Sequence, residues 1–420
     1  QERALIYGTM SRFNLTRSGG VDPSRTSQEH RIMNDKLSGA RSPEAGVTSL
    51  DGQASSTWHS EAGFAEPPRL ERVDDTLRAD EALQKMRNGI GLLWCGDFHN
   101  ARQLLQALGR RLDRKKKPGR DDGTLSLKER FHQYRLQQSQ RARLLGLLLI
   151  RVEPDNTIAL RRAPAWQAAL AQVYGQAHAP MLVSLRELLG VVGAFEWRRK
   201  GVPIAGCDWR IHPHYGVFSP SRSEYLTLIR QAPLPDGCRR AFDIGTGTGV
   251  LSILLAEKGV AQIIATDSSP RAAACAQENV ERLGLQSQIT IEQKDFFPEG
   301  KADLLVCNPP WLPGKVSSSL DAAVYDPEEQ MLNGFLQQAG QHLAPGGQIW
   351  LVMSDLAQLL GLREPDAMHE RFAASGLRVV ADYCARPVHG RAYDPLDALH
   401  EARAQETTHL WCLVPTGTEN

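Results

Sequence analysis

The sequence of 420 residues predicts an α/β protein, with a doubly wound C-terminal domain after a mainly helical N-terminal accessory domain. Three observations support this fold class. Residues 241–255 contain an apolar strand, a glycine-rich turn and an apolar helical segment. Short runs rich in β-branched residues then alternate with helical segments, which is the order of a doubly wound sheet. In the N-terminal half, leucines recur at helical spacing, as in Asn100–Leu108.

Three regions follow from the composition along the chain. Residues 1–65 are rich in Ser, Gly, Thr and Arg and show little periodicity, which is typical of a flexible or loosely packed arm. Residues 66–205 are expected to form the basic, mainly helical accessory domain, and residues 206–420 the α/β domain. The predicted accessory helices start at Asp80 and then cover Asn100–Leu108, Leu127–Ile150, Ala165–Tyr174 and Leu182–Phe195.

Charge is distributed unevenly between the two halves. Residues 1–210 contain 33 basic and 23 acidic side chains, whereas residues 211–420 contain 16 and 25. A basic domain beside an acidic one suggests a polyanionic partner, and RNA is the simplest candidate. A solvated basic helix face explains the same excess equally well. The aromatic side chains of Phe131, Tyr134 and Trp166 would be able to stack on bases, although their spacing favours core packing.

Several classes of protein are disfavoured by composition. The longest apolar run, Leu144–Ile150, is much shorter than the ~20 residues needed to cross a bilayer, so no membrane partner is expected. The sequence shows no apolar secretion signal at its start. Seven cysteines without a Cys-x-x-Cys pair indicate reduced thiols in a cytoplasmic protein, and argue against a zinc site. We therefore predict no metal, and the sequence leaves the oligomeric state open.

The glycine-rich turn is the first candidate ligand site. Asp243 precedes Gly245-Thr246-Gly247-Thr248-Gly249 at the end of the first strand. Glycines let the backbone pass close to a ligand, above the N-terminus of the following helix. The Gly-x-Gly-x-Gly spacing differs from the Gly-x-Gly-x-x-Gly fingerprint of dinucleotide sites, which counts against NAD. A glycine turn in an unrelated α/β domain is the alternative.

The next two predicted strands end in acidic residues. Gln262–Asp267 places a carboxylate where a ribose-hydroxyl ligand is expected in such units. Asp267 would also serve as a cap for the helix that begins near Pro270, and the two roles are compatible. The third strand, Ile289–Gln293, leads to Asp295-Phe296, a carboxylate and a ring suited to the amino group and face of an adenine. A turn carboxylate followed by a core aromatic explains this pair nearly as well.

The fourth strand leads into Asn308-Pro309-Pro310-Trp311. Each proline fixes φ and lacks an N–H, so the turn is stiff and the Pro309 carbonyl is directed above the sheet. The Asn308 side-chain oxygen is a second acceptor, and Trp311 offers a flat face for stacking. Two acceptors on one NH2 group would withdraw its lone pair from conjugation. This arrangement suits methyl transfer to a planar nitrogen.

In this order and spacing, the segments resemble the class I S-adenosylmethionine-dependent methyltransferases, specifically the branch with an Asn-Pro-Pro-aromatic motif. The stretch Tyr215–Glu224, with Gly216-Val217-Phe218-Ser219, is similar to the segment before the first strand in ribosomal RNA guanine-N2 methyltransferases. It is more loosely similar to the corresponding segment of release-factor glutamine methyltransferases. The resemblance covers about residues 211–420 and implies a Rossmann-like, seven-stranded domain with S-adenosyl-L-methionine as cofactor.

The resemblance also implies residue roles. The glycines would contact the methionine part of the cofactor, while Asp243 would orient the turn and hold the ammonium group. Asp267 would bind the ribose, and Phe218 would cover the cofactor. The implied cofactor-binding residues are Phe218, Asp243, Gly245, Thr246, Gly247, Gly249, Asp267, Ser268, Asp295 and Phe296. The implied acceptor-binding residues are Asn308, Pro309, Pro310 and Trp311.

The identity of the acceptor is left open by these residues. Trp311 stands where adenine and glutamine enzymes of this branch usually have Tyr or Phe. RNA, with ribosomal RNA first, is the leading predicted substrate because of the basic N-terminal half. The alternatives are a protein glutamine side chain, or a small amidine, guanidine or heterocycle. A methyltransferase fold that only binds nucleic acid or serves in assembly is the non-enzymatic alternative, which the intact glycine turn and Asn308 disfavour.

Overall fold

A computed structural model describes residues 47–48, 56–114, 125–220, 222–316, 321–388, 393–394 and 397–417. Most of the predicted arm, residues 1–65, lies outside these ranges. The described part contains two large sheets, each with helices packed against it. None of the described helices combines the length and the apolar character needed to span a membrane.

The N-terminal domain is built on a six-stranded sheet in the order β1-β2-β6-β5-β4-β3. Its strands are β1 (Val47–Thr48), β2 (Ser56–Trp58), β3 (Arg69–Val73), β4 (Ile90–Trp94), β5 (Leu148–Val152) and β6 (Met181–Ser184). Its helices are α1 (Ala79–Arg87), α2 (Phe98–Arg114), α3 (Leu127–Leu145), α4 (Gln167–Tyr174) and α5 (Leu185–Lys200).

The sequence analysis predicted a mainly helical domain and named no strand in it, so this sheet is a correction. Helix α3 ends at Leu145 and β5 follows, where one helix was predicted to continue to Ile150. Likewise, β6 precedes α5 where a single helix was predicted. Strands β4 and β6 are buried at every position, so their apolar runs lack the alternation that identifies a strand. The folded region also begins before residue 66, because β2 pairs with β6.

The C-terminal domain contains the second sheet. After two short strands, β7 (Val202–Pro203) and β8 (Arg210–Ile211), its strands are β9 (Arg240–Ile244), β10 (Gln262–Asp267), β11 (Ile289–Gln293), β12 (Ala302–Cys307), β13 (Leu312–Pro313), β14 (Tyr325–Asp326), β15 (Leu343–Ser354), β16 (Leu377–Ala385) and β17 (Thr408–Pro415). Its helices are α6 (Glu224–Gln231), α7 (Val250–Glu257), α8 (Pro270–Arg282), α9 (Gln330–His342), α10 (Leu356–Leu359), α11 (Ala367–Ala374) and α12 (His400–Gln405).

The seven-stranded sheet has the order β11-β10-β9-β12-β15-β17-β16, which confirms the predicted fold class. Strands β9 to β12 and β15 are parallel, and β17 is antiparallel to both of its neighbours. The strand order reverses between β9 and β12, and ligands of doubly wound sheets bind at the carboxyl ends of the strands beside such a switch point. Cys307 of β12 lies opposite Ile244 of β9, so both strands end at the same level.

The two domains share an apolar contact on the side of β13. Phe131 and Tyr134 of α3 are buried in one cluster with Leu312, Tyr325 and Leu356 of the C-terminal domain. Because both rings are buried there, neither is available to stack on bases. The spacing of these residues in the sequence likewise favours core packing. Helix α3 therefore packs against the segment that follows the Asn-Pro-Pro-Trp turn.

Candidate active site

A cavity of ≈ 890 Å³ lies at the carboxyl ends of β9, β10 and β12. This volume is within the range of small-molecule and cofactor sites, about 300–1,000 Å³. Of the fourteen predicted site residues, Asp243 and Gly249 lie off the cavity wall. The cavity is lined by the other twelve, namely Phe218, Gly245, Thr246, Gly247, Asp267, Ser268, Asp295, Phe296, Asn308, Pro309, Pro310 and Trp311.

The glycine turn has the backbone conformation that its sequence predicts. Gly245, Gly247 and Gly249 have φ of +74°, +57° and +81°, a region that L side chains rarely adopt. A Cβ on Gly249 would come within 3.3 Å of the Ala276 Cβ, so this glycine allows α8 to approach the turn. A Cβ on Gly247 would meet no atom within 4 Å. The space beside Gly247 is thus open to a ligand in the cavity.

Asp243 is fully buried beneath the turn and holds it in place. Its Oδ2 accepts hydrogen bonds from the hydroxyls of Thr246, at 2.7 Å, and Ser252, at 2.6 Å. Burial raises the pKa of Asp243, while these hydrogen bonds oppose the shift. These contacts hold the turn from below, and Asp243 is not among the residues that line the cavity. Ser252, in the first turn of α7, was missed because nothing in its sequence context marks it.

Asp267 lies at the cavity wall between the glycine turn and α8. Its Oδ2 accepts from the Gly247 N–H at 2.9 Å, and its Oδ1 accepts from the Ser269 N–H at 2.9 Å. The side chain that caps α8 is Ser269, whose Oγ accepts from the Ala272 N–H. Burial raises the pKa of Asp267, against the effect of its two backbone hydrogen bonds. Each carboxylate oxygen retains a lone pair for a ligand hydroxyl.

Asp295 and Phe296 both line the cavity, but their environments differ. Asp295 is exposed, whereas Phe296 is half-buried and packs against the core cluster on this face of the sheet. Phe296 has φ of +54°, an uncommon conformation for an aromatic residue that has a cost in strain. Its carbonyl accepts from the Thr266 hydroxyl at 2.5 Å, which holds the turn in that conformation. The ring is thereby kept at the cavity wall.

The Asn-Pro-Pro-Trp turn contains a hydrogen bond that the sequence did not predict. The Trp311 Nε1–H donates to the Asn308 Oδ1 at 2.9 Å. An indole nitrogen only donates, so this contact fixes the orientation of the Asn308 amide and leaves its oxygen one further lone pair. The Arg222 guanidinium lies 5.2 Å from the centre of the Trp311 ring. Trp311 thus orients Asn308 in addition to presenting a face.

Arg222 links this turn to the buried side chain of Glu406. The Arg222 Nη1 donates to the Glu406 Oε1 at 2.7 Å, and the Ser354 hydroxyl donates to the same oxygen at 2.6 Å. Arg222 and Arg403 both line the cavity. Sequence reasoning missed this network because its members are far apart in the chain, although Arg222 lies within the quoted stretch Tyr215–Glu224.

The segment after the Asn-Pro-Pro-Trp turn is held by charged side chains. Glu328 and Glu329 have φ of +54° and +55°, two consecutive strained positions before α9. Glu329 accepts from Arg363 at 2.5 Å and is also paired with Arg371. Arg363 in turn donates to the Trp311 carbonyl at 3.3 Å. This network fixes the backbone of the turn at the Trp311 carbonyl.

The cavity residues fit S-adenosylmethionine in two respects. Open space beside Gly247 admits a ligand above the helix N-terminus, and Asp267 offers free acceptor capacity beside it. Lys294 and Met331 also line the cavity and were not predicted.

Comparison with known proteins agrees with this geometry. Residues 208–375 match the family model of the methyltransferase small domain. The chain is 34% identical to the release factor glutamine methyltransferase of Cereibacter sphaeroides, over 31% of this chain and 51% of that protein. It is 31% identical to the tRNA1(Val) (adenine(37)-N6)-methyltransferase of Parabacteroides distasonis, over 28% of this chain and 52% of that protein. The chain thus spans about half the length of each relative.

Solved structures were also compared. A methyltransferase structure from Pyrococcus furiosus aligns with 54% of this chain and 98% of its own, at 20% identity and a TM-score of 0.36. The family match covers β9 to β12, and with them the glycine turn, Asp267 and the Asn-Pro-Pro-Trp turn. Residues 208–375 thus match the methyltransferase small domain, and the relatives that share this region are methyltransferases.

Proposed function

We propose that the chain methylates a planar amino or amide nitrogen, with RNA as the leading acceptor class and ribosomal RNA first within it. The observation that supports this most is the position of Asn308-Pro309-Pro310-Trp311 in the same cavity as the glycine turn and Asp267. The acceptor nitrogen would lie between the Asn308 Oδ1 and the Pro309 carbonyl. Both oxygens would accept from it and draw its lone pair toward the cofactor.

S-adenosylmethionine supplies an activated methyl group, so the protein has to align the acceptor and exclude water. The carboxylate of Asp267 and the backbone of Gly247 would fix the position of the cofactor. Asn308, oriented by the Trp311 indole, would fix the position of the acceptor nitrogen. No strong general base is needed, because the nitrogen becomes acidic only once methylated, and its proton then leaves to solvent or through Asn308.

RNA is favoured by the basic excess of the N-terminal half, 33 basic against 23 acidic side chains in residues 1–210. Part of this excess is neutralised locally. Arg111 pairs with Asp80, Arg141 with Asp113, and both Arg161 and Arg162 with Asp97. The remaining basic side chains would contact phosphates, while α3 holds the acceptor side of the cavity in place.

A protein glutamine acceptor is the second candidate. The release factor glutamine methyltransferase of Cereibacter sphaeroides is among the relatives that match this domain. A glutamine side chain is also a planar NH2 group, and the two acceptors of the Asn-Pro-Pro turn would hold it in the same way. The two acceptors would differ in the surface that they dock on, because a protein loop does not need a basic docking surface as RNA does.

The test is transfer of a tritiated methyl group from S-adenosylmethionine to fractionated cell extract. Samples are treated with ribonuclease or protease before the macromolecular fraction is counted. We expect ribonuclease to release the label. Release by protease instead would favour glutamine, and label in the small-molecule fraction would favour a metabolite. The Asn308→Ala variant is the control, and wild-type protein that labels nothing beyond this control contradicts the proposal.

A further inference from the structure

Three side chains with metal-binding atoms face one another at the edge of the C-terminal sheet. Asp382 and Cys384 lie two residues apart on the edge strand β16, so they occupy the same face of it. His409 lies directly opposite Cys384 on β17. One ligand atom from each residue lies within 4.8 Å of the other two. The cluster is outside the cofactor cavity and has no part in the proposed methyl transfer.

The distances between these atoms are those of a compact ligand set. The Cys384 Sγ lies 3.3 Å from the His409 Nδ1 and 3.4 Å from the Asp382 Oδ1. The His409 Nδ1 lies 3.1 Å from the same Asp382 Oδ1. With zinc–ligand lengths of roughly 2.0–2.3 Å, a tetrahedral site separates its ligand atoms by about 3.3–3.6 Å. Shifts of a few tenths of an ångström would therefore admit the ion.

We propose that Asp382, Cys384 and His409 bind one zinc ion, with water as the fourth ligand. A thiolate, an imidazole and a carboxylate together favour zinc over the hard cations, which prefer oxygen ligands alone. On binding, zinc replaces the thiol proton of Cys384, which leaves to solvent. The absence of a Cys-x-x-Cys pair argues against a zinc site whose ligands are close together in one segment of sequence. Here the ligands come from two paired strands.

Neighbouring side chains hold the three ligands in place. The Trp411 ring stacks on the His409 ring, with centroids 5.0 Å apart and an angle of 19° between planes. Trp411 also lies directly opposite Asp382 in the pairing of β16 with β17. Such contacts fix the orientation of ligands before the metal arrives. The cluster is partly exposed, so an ion reaches it from solvent.

The role of this site is structural. Cys384 and His409 flank the segment that leaves β16 and returns as β17, and an ion between them would close its base. That segment contains Arg403, which lines the cavity, and Glu406, which holds Arg222. A zinc ion would therefore stabilise the elements that bring these side chains to the acceptor side.

The experiment is a zinc titration of the full chain, purified with a chelator and a thiol reductant, against a chromophoric zinc indicator. We expect one zinc ion per chain, and at least about 100-fold weaker binding in Cys384→Ser, Asp382→Asn and His409→Gln. Cys95→Ser removes another exposed thiol, in the N-terminal domain, and should bind zinc like the wild type. Wild-type protein that takes up no zinc, or variants that bind like the wild type, would overturn the proposal.

Cobalt(II) supplies an independent measurement. Ligation of cobalt by a thiolate gives a charge-transfer absorption that nitrogen and oxygen ligands do not give. We expect this band in the wild type and in Cys95→Ser, and its loss in Cys384→Ser. Zinc should also raise the thermal midpoint of the wild type but not that of Cys384→Ser. If Cys384→Ser does not fold, the titrations of Asp382→Asn and His409→Gln decide the test. If Cys384→Ser folds and shows the same cobalt band as the wild type, the proposal is contradicted.

Discussion

At the scale of single residues, the Trp311 indole has two separable functions in the proposed mechanism. Its ring presents a face to the acceptor, and its N–H orients the Asn308 amide at 2.9 Å. Phenylalanine preserves a flat face and removes the donor. A substitution series at this position thus distinguishes stacking from the orientation of Asn308.

We predict that Trp311→Phe lowers kcat about 5-fold, because the lost hydrogen bond is worth roughly 1 kcal/mol. KM for the acceptor should change by less than about 2-fold, since the ring face remains. Trp311→Ala should lower kcat and raise KM as well. Steady-state kinetics on the identified acceptor measure both constants. Trp209→Phe removes an indole N–H bonded to Glu257 outside the cavity and should leave both unchanged. Full kcat in Trp311→Phe would rule out the orienting function.

Asn308→Ala tests the acceptor contact itself. Loss of a positioned catalytic hydrogen bond costs about 2–4 kcal/mol of barrier, so kcat should fall by about 30- to 1,000-fold. Cofactor affinity, measured by calorimetry, should stay within about 2-fold, because Asn308 is placed on the acceptor side. Asn88→Ala, at the end of α1, is the matched control and should be fully active. A variant with normal turnover would show that Asn308 does not hold the nitrogen.

These roles could be predicted from the sequence only in part. The four residues of the turn were identified because prolines and their neighbours act through local geometry, which a short motif specifies. The bond from Trp311 to Asn308 depends on side-chain torsions that the motif does not fix. The pairing of Arg222 with Glu406 joins residues 184 positions apart, and such a contact exists only once the sheet has formed.

At the scale of elements, the junction between β10 and α8 has two roles, ligand binding and helix capping. Both fall within three residues, Asp267 to Ser269. Asp267 accepts from Gly247 across the turn, whereas Ser269 caps α8. Ligand binding and helix capping thus fall to different side chains. Substitution of each side chain measures one role without the other.

We predict that Asp267→Ala weakens S-adenosylmethionine binding by about 10- to 100-fold, since hydrogen bonds to a charged group contribute roughly 1.5–3 kcal/mol. Ser269→Ala should instead lower the free energy of unfolding by about 1 kcal/mol through loss of the cap, with little effect on cofactor affinity. Calorimetry and urea denaturation measure the two quantities. Equal losses of affinity in both variants would mean that the junction acts only by holding α8 in place.

Elements were predicted with unequal success in the two domains. In the C-terminal domain, β9 is followed by a turn with three glycines and β12 by a turn with two prolines. These turn residues mark the ends of the strands in the sequence. In the N-terminal domain, β5 follows α3 after only two residues, and β6 runs directly into α5. Gly146 is the one residue typical of turns between α3 and β5, and an apolar run that is buried on both faces has no distinguishing period.

At the scale of the whole molecule, the N-terminal domain contributes to the acceptor side by direct contacts. Helix α3 packs against β13 and β14 through Phe131 and Tyr134, and Arg135 donates to the Lys315 carbonyl at 2.7 Å. On another side, Glu61 contacts α8 through Arg271. The domain is thus in a position to influence the cavity even if its basic side chains bind no RNA.

The contact between Glu61 and Arg271 should make this association depend on pH. The Glu61 Oε2 accepts from the Arg271 Nη1 at 2.8 Å, and His59 lies 3.3 Å from the other oxygen. Burial alone would raise the pKa of Glu61, but the hydrogen bonds from His59 and Arg271 outweigh it and lower the pKa to about 2. A carboxyl group with a lowered pKa stabilises the fold above its unfolded pKa, near 4.5, and this contribution is lost as the pH falls through about 2.

We predict that Glu61→Gln lowers the free energy of unfolding by about 1 kcal/mol at pH 7, a value limited by partial solvent screening. At pH 3 the cost should be about half as large, because the wild type has by then lost much of the same contribution. Urea denaturation at both pH values measures the difference. Glu299→Gln, at an exposed position in the loop after β11, should change the free energy by less than about 0.5 kcal/mol at either pH. A Glu61→Gln cost that is equal at pH 7 and pH 3 would show that the ionised carboxylate does not stabilise the association of the domains.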